Sequence, residues 1–97
     1  MFSLVKMGLG QTDVYTAVCE NEILIGRSKN ADICIGDDKQ LSGRHCKVRK
    51  EGNKYYIKDL DSTNGTVLNG VPIEEETPLM QDDVIFIGAF EYRITWE

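Results

Sequence analysis

No stretch of this 97-residue chain repeats its apolar residues at helical spacing; they fall in short runs, each closed by turn formers. Gly8, Gly10, Asn21, Gly36, Gly52, Asn53, Asn64-Gly65 and Asn69-Gly70 supply the punctuation. The pattern predicts strands at 2–7, 14–20, 22–26, 32–35, 44–50, 54–60, 66–69, 84–87 and 89–96, with a short edge strand near Val71–Ile73 in an otherwise looped 72–83. In the last of the main strands, Phe90, Tyr92, Ile94 and Trp96 alternate with Glu91, Arg93, Thr95 and Glu97, so one face is buried and the other wet. HCKVRK alternates likewise, with Cys46 and Val48 inward. EILIG and VIFIG are unbroken apolar runs, which predicts strands covered on both faces. Tyr55, Tyr56 and Trp96 fall on strand positions and are expected in the core. Many short strands with frequent turns imply an all-β fold, a sandwich or a small barrel.

The length fits one domain, 1–97, and the close of the last strand at the end of the sequence is expected of a module within a larger protein. Apolar residues at 41% and charged residues at 28% match a folded chain rather than a disordered one. The apolar runs are too short to span a bilayer as a helix, and MFSLVKMGLG lacks the pattern of a secretory signal, so no direct membrane insertion is expected. Cys19, Cys34 and Cys46 are odd in number and widely spaced, and His45 has no second ligand pair. Neither a metal site nor a disulfide framework follows; buried, reduced thiols and an intracellular location do. No cofactor motif is present.

A net charge of −5 argues against a nucleic-acid-binding surface. The distribution is uneven: residues 27–50 carry +4, whereas residues 51–97 carry −7. Lys47, Arg49 and Lys50 read as a solvated strand face, but Arg27 and Arg44 lie beside turns, where an anion can be held. Ser42 and His45 raise the question of hydrolysis, yet the nucleophile elbow is missing and spacing alone does not make a triad. Three loops, GRSKNAD at 26–32, GDDKQLSGRH at 36–45 and DSTNGT at 61–66, instead combine an arginine, hydroxyls and glycines, which is what a tetrahedral phosphate requires. Strand parity puts the loops at 36–43 and 61–65 at one end of the sheet. It sends the Arg27 loop to the far end unless the short strand at 32–35 changes sheets.

GRSKNADICI, LSGRH, DLDSTNGTVLNG and LMQDDVIFIG, four separated motifs in order, resemble the forkhead-associated (FHA) domain from about residue 22 onward. The resemblance implies a sandwich of two mostly antiparallel sheets with about eleven strands, whose loops bind a phosphothreonine-containing peptide or protein at one end. By position, Arg27 would grip the phosphate, Ser42 would donate its hydroxyl, Thr63 would contribute near the phosphothreonine, and Asn64 would hydrogen-bond the peptide backbone. Gly26, His45 and Gly65 would be architectural. Asn69-Gly70 would remain a plain hairpin turn, and Asp59 and Asp61 would hold turns through their side chains.

Two departures stand out. Gly43 occupies a position where many members carry a basic or amide side chain, with Arg44 one place later. Asp82 replaces a usual glycine, at the small cost of a left-handed aspartate. The loop around Gly88–Ala89 is the candidate for reading the peptide near the third residue after the phosphothreonine. Two function classes follow: a phosphothreonine reader in serine/threonine-kinase signalling, and a phosphate-independent interaction or assembly module that uses a sheet face.

Overall fold

The computed structural model describes residues 1–8, 10 and 13–97. Eleven strands follow in chain order: β1 Phe2–Lys6, β2 Val14–Ala17, β3 Glu22–Gly26, β4 Ile33–Cys34, β5 Cys46–Glu51, β6 Lys54–Asp59, β7 Thr66–Leu68, β8 Val71–Pro72, β9 Thr77–Pro78, β10 Val84–Ile87 and β11 Phe90–Trp96. They form a six-stranded sheet in the order β2-β1-β11-β10-β7-β8 and a five-stranded sheet in the order β4-β3-β5-β6-β9. Every pairing is antiparallel except β3 with β4, which is parallel.

The inner faces meet in one core. Phe2 and Leu4 on β1, Ile23 and Ile25 on β3, Val48 on β5, Ile57 on β6, Ile85 and Ile87 on β10, and Tyr92 and Ile94 on β11 are all buried. Their period of two is the strand pleat itself. Cys46 and Val48 point inward as the alternation requires. Trp96 caps the core at the far end, 4.6 Å from Tyr55 and stacked on Phe2 at 6.4 Å between ring centroids.

Five expectations change. Phe90, read as inward, is 41% exposed at the start of β11, with Lys6 Nζ 3.7 Å from its ring centroid. EILIG and VIFIG are covered on one face only: in a two-layer sandwich the outer face meets water, so Leu24 is half-buried and Phe86 is 44% exposed. Tyr56 likewise lies on the outer face, with the Arg49 guanidinium 4.6 Å from its ring centroid. Cys34 is exposed, because the edge strand β4 alternates Ile33 inward and Cys34 outward. A further strand, β9, lies in the segment read as loop; it is two residues long and pairs Thr77 with Ile57 and Pro78 with Tyr56 at the sheet edge, where a proline is tolerated.

The turns obey their residues. Asn69 (φ 49°) and Gly70 (φ 83°) are both left-handed between the paired Leu68 and Val71, as a two-residue hairpin of this hand demands. Asp82 adopts φ 68°, the left-handed aspartate expected there.

Candidate functional site at one end of the sandwich

The parallel pairing of β3 and β4 decides which loops meet. Gly26 pairs with Cys34, so the chain leaves β3 and β4 at the same end. The loop after β4 then returns into β5, whose Cys46 pairs with Ile25 of β3 and with Asp59 of β6. Arg27, the 36–45 loop and the 60–65 loop therefore emerge together. Thr66 of β7 pairs with Ile87 of β10, which brings the Gly88–Ala89 turn to the same end.

Backbone contacts fix the first two loops to each other. The Arg27 amide donates to the Ser42 carbonyl at 3.0 Å, and the Ser28 amide to the Gly43 carbonyl at 3.1 Å. This approach requires glycine at 26: a Cβ there would stand 2.0 Å from the Gly43 carbonyl oxygen. Arg27 itself is exposed, and among the described residues its guanidinium makes no ion pair.

His45, fully buried, joins the second loop to the third. Its Nδ1 accepts the Ser42 amide at 3.1 Å, and its Nε2 lies 2.8 Å from the Gly65 carbonyl. An amide can only donate and a carbonyl can only accept, so the ring is neutral with its proton on Nε2. Both nitrogens are thus occupied by backbone, and neither is free to take a proton from the Ser42 hydroxyl. The hydrolytic arrangement of Ser42 and His45 is not built here.

Ser42 Oγ accepts the Thr63 amide at 3.0 Å, a second tie between the loops. Asn64 Nδ2 donates to the Gln40 carbonyl at 2.8 Å, a third. The third loop is held from below by Asp59. Its Oδ2 accepts the Ser62 amide at 3.0 Å, while Oδ1 accepts the hydroxyls of Ser62 at 2.5 Å and Thr66 at 2.7 Å. Burial pushes this carboxyl up, but the three hydrogen bonds outweigh it and hold it below the ordinary aspartate value. Ser62 Oγ in turn accepts the Gly65 amide at 2.9 Å, and Gly65 closes the turn at φ 82°.

Thr63 and Asn64 stand exposed at this rim, and Ser42 and Gly43 are half-buried in it. Arg44 is exposed, and with Glu22, Leu24, Asp32, Lys47 and Leu60 it lines a shallow cavity on the five-stranded sheet. Cys46, beneath the site, is inert, since burial and the Asp59 charge push its thiol up to about 12 against a hydrogen bond with Thr66. Sequence reasoning gave no role to Asp38 or Gln40. Asp38 is buried, accepting the Gln40 amide on Oδ1 and the Ala89 amide on Oδ2, both at 3.0 Å. Nothing in the local pattern of GDDKQ distinguishes it from its exposed neighbour Asp37.

Residues 23–88 match the family described as FHA domain. Over 77 residues the chain is 39% identical to the E3 ubiquitin-protein ligase CHFR of Danio rerio, covering 75% of this chain and 12% of that protein. Over 72 residues it is 38% identical to the FHA domain-containing protein FhaA of Mycobacterium tuberculosis, covering 74% of this chain and 13% of that protein. The chain thus spans only about an eighth of the length of these relatives. A structure described as a structural and functional analysis of phosphothreonine-dependent FHA domain interactions superposes with a TM-score of 0.84 at 31% identity, over 99% of this chain and 96% of that one. The FhaA FHA domain, solved in complex with the intracellular domain of Rv3910, gives a TM-score of 0.82 at 32% identity, over 97% of this chain and 99% of that one.

Proposed function

Because the chain belongs to the FHA-domain family, we propose that it is a non-enzymatic module that binds phosphothreonine-containing proteins or peptides in serine/threonine-kinase signalling, inside the cell and as one part of a larger protein. The observation that carries this reading is the state of Ser42. Its oxygen accepts the Thr63 amide and its proton is free to donate outward, beside the exposed Arg27 and between the first and third loops. A hydroxyl with its donor side open, beside a guanidinium, suits an anion rather than a cation.

A phosphothreonine brings between one and two negative charges and three strong acceptor oxygens. Arg27 supplies a planar fork to two of them and Ser42 a hydroxyl to another, both pre-placed by the Gly26 contact and by His45. Thr63, exposed at the rim, contributes near the phosphothreonine. Asn64 donates one amide N–H to Gln40 and keeps its carbonyl oxygen and second N–H for the peptide backbone. Gly43 adds no side chain at the rim. Arg44 serves the peptide where it runs over the shallow cavity beside Leu24. Hydrogen bonds to a charged group are worth about 1.5–3 kcal/mol each, ten- to a hundred-fold in affinity. Selectivity for phosphothreonine over phosphoserine rests on one methyl group, about 1 kcal/mol by burial, and so needs close packing at the site.

A phosphothreonine peptide library, with phosphoserine and unphosphorylated controls, tests the reading on the wild type and Arg27→Ala. Micromolar capture of phosphothreonine peptides that drops by about tenfold or more in the variant supports it. Capture that ignores phosphate, or survives the substitution, would replace it with the second reading. In that case a partner docks on a sheet face, and the outer face of the six-stranded sheet is the one with Val14 (53% exposed) and Phe86 (44% exposed) open to solvent.

A further inference from the structure

Asp38 is a carboxylate in an unusual place. It is only 4% exposed, and among the described residues no lysine or arginine pairs with it. A buried carboxylate without a cation is retained at a cost unless hydrogen bonds hold it. Here both oxygens are used, and they are used on different parts of the molecule. Oδ1 accepts the Gln40 amide within its own loop at 3.0 Å. Oδ2 crosses 51 residues of sequence to accept the Ala89 amide in the β10–β11 turn, also at 3.0 Å. The turn is shaped to receive it: Gly88 is left-handed at φ 61°, and a Cβ on it would lie 2.2 Å from Asp38 Oδ2.

The connection continues beyond Asp38. Gln40, whose amide Asp38 holds, offers its carbonyl to Asn64 Nδ2 at 2.8 Å. A single chain of hydrogen bonds therefore runs from Ala89 through Asp38 and Gln40 to Asn64. It leaves out Arg27 and Ser42, which are braced separately through Gly26, His45 and Thr63.

We propose that Asp38 is a positioning residue for peptide selectivity, setting the distance between the Gly88–Ala89 turn and the Asn64 loop and thereby fixing which side chains flanking the phosphothreonine are accepted. The inference rests on the phosphothreonine-reader assignment and deepens it: phosphate grip and flank reading are held by different hydrogen bonds that share the second and third loops, and Asp38 belongs to the set that reaches the Gly88–Ala89 turn. Removing it lets the turn move relative to Asn64 while leaving the phosphate contacts in place.

The test is selection from a degenerate phosphothreonine library by wild type, Asp38→Asn and Gly88→Ala. Asparagine keeps the size of the side chain but has one acceptor oxygen, so one of the two amides meets an N–H₂ group. Alanine at 88 pushes the turn from the other side and leaves Asp38 itself intact. Each variant is checked for a wild-type cooperative unfolding transition, and Ala89 amide exchange in the free protein reports whether the clamp has opened. The expected result is faster exchange at Ala89 and a flank preference flattened by about three- to tenfold, the equivalent of one neutral hydrogen bond. In Asp38→Asn, affinity for a phosphothreonine peptide with alanine flanks changes by less than about twofold, because Ser42 is braced by His45 and Thr63 rather than by Asp38. An unchanged flank profile in a folded variant overturns the inference, as does a uniform loss that hits all peptides equally. A wild type that captures no phosphothreonine peptide overturns the reader assignment, and this inference with it; the wild-type lane separates the two failures.

Discussion

Asn64-Gly65 and Asn69-Gly70 lie five positions apart in sequence and are the same dipeptide, yet the chain uses them in opposite ways. At 69–70 both residues are left-handed, and the turn closes two paired strands. Its side-chain bonds go to the adjoining start of β10: Asn69 Nδ2 donates to Asp83 and its Oδ1 accepts the Val84 amide. At 64–65 only Gly65 is left-handed, and the bonds reach across the fold to Gln40, to His45 and, through Ser62, to Asp59. One turn is stabilised by its own dihedrals and nearest strand. The other is shaped by tertiary partners, which leaves its exposed groups aimed outward rather than at each other. The same two letters thus encode a connection in one place and a presenting surface in the other.

The sharpest test of this contrast removes the tertiary partner. His45→Ala strands the Ser42 amide and the Gly65 carbonyl, and at about 1–3 kcal/mol for each unsatisfied group the fold should lose about 2–6 kcal/mol, with binding abolished in whatever remains folded. Denaturant unfolding followed alongside peptide titration reads both. If binding survives His45→Ala, the third loop does not depend on its wiring and the contrast fails. The next effect is a crossed pair. Asn64→Ala should cost about tenfold in phosphopeptide affinity with little change in unfolding midpoint, whereas Asn69→Ala should cost about 1 kcal/mol of stability and leave affinity alone. Equal effects of the two substitutions on both readouts would erase the distinction. The smallest effect is a gain. A Cβ at Gly43 meets nothing nearer than the Ser28 Cβ at 4.0 Å, so a side chain fits. Gly43→Arg should improve phosphopeptide affinity by about two- to fivefold, the scale of an exposed charge pair, and the improvement should fade at high salt.

Much of the fold was legible because it rests on local rules. Alternation in β5 and, from Tyr92 onward, in β11, the left-handed Asn69-Gly70 and the tolerance of Asp82 for φ 68° are properties of a few neighbouring residues. Parity correctly put the 36–43 and 61–65 loops together. What sequence could not supply was Arg27 at the same end, because that follows from β4 lying parallel to β3, a pairing between two residues on each strand with no periodic signature. The unbroken apolar runs misled for a related reason: Phe86 continues a hydrophobic stretch but faces water, since hydropathy does not report how many layers cover a sheet. Asp38 was invisible because its partner is 51 residues away, and an aspartate in a turn looks the same whether its second oxygen is solvated or holds a distant amide.

The short parallel step from β3 to β4 has one more consequence. By folding the chain back before the main hairpin begins, it makes the recognition end out of segments from positions 26–28, 38–45 and 59–66, none of which neighbours another along the backbone. Such an end has no half-assembled version: closing the connections costs entropy that only the completed sandwich repays. A peptide excised from any one of these segments carries the right letters without the arrangement, and a chain that has lost its native state has lost its ligand in the same event. Recognition in this protein is a statement that the molecule is intact.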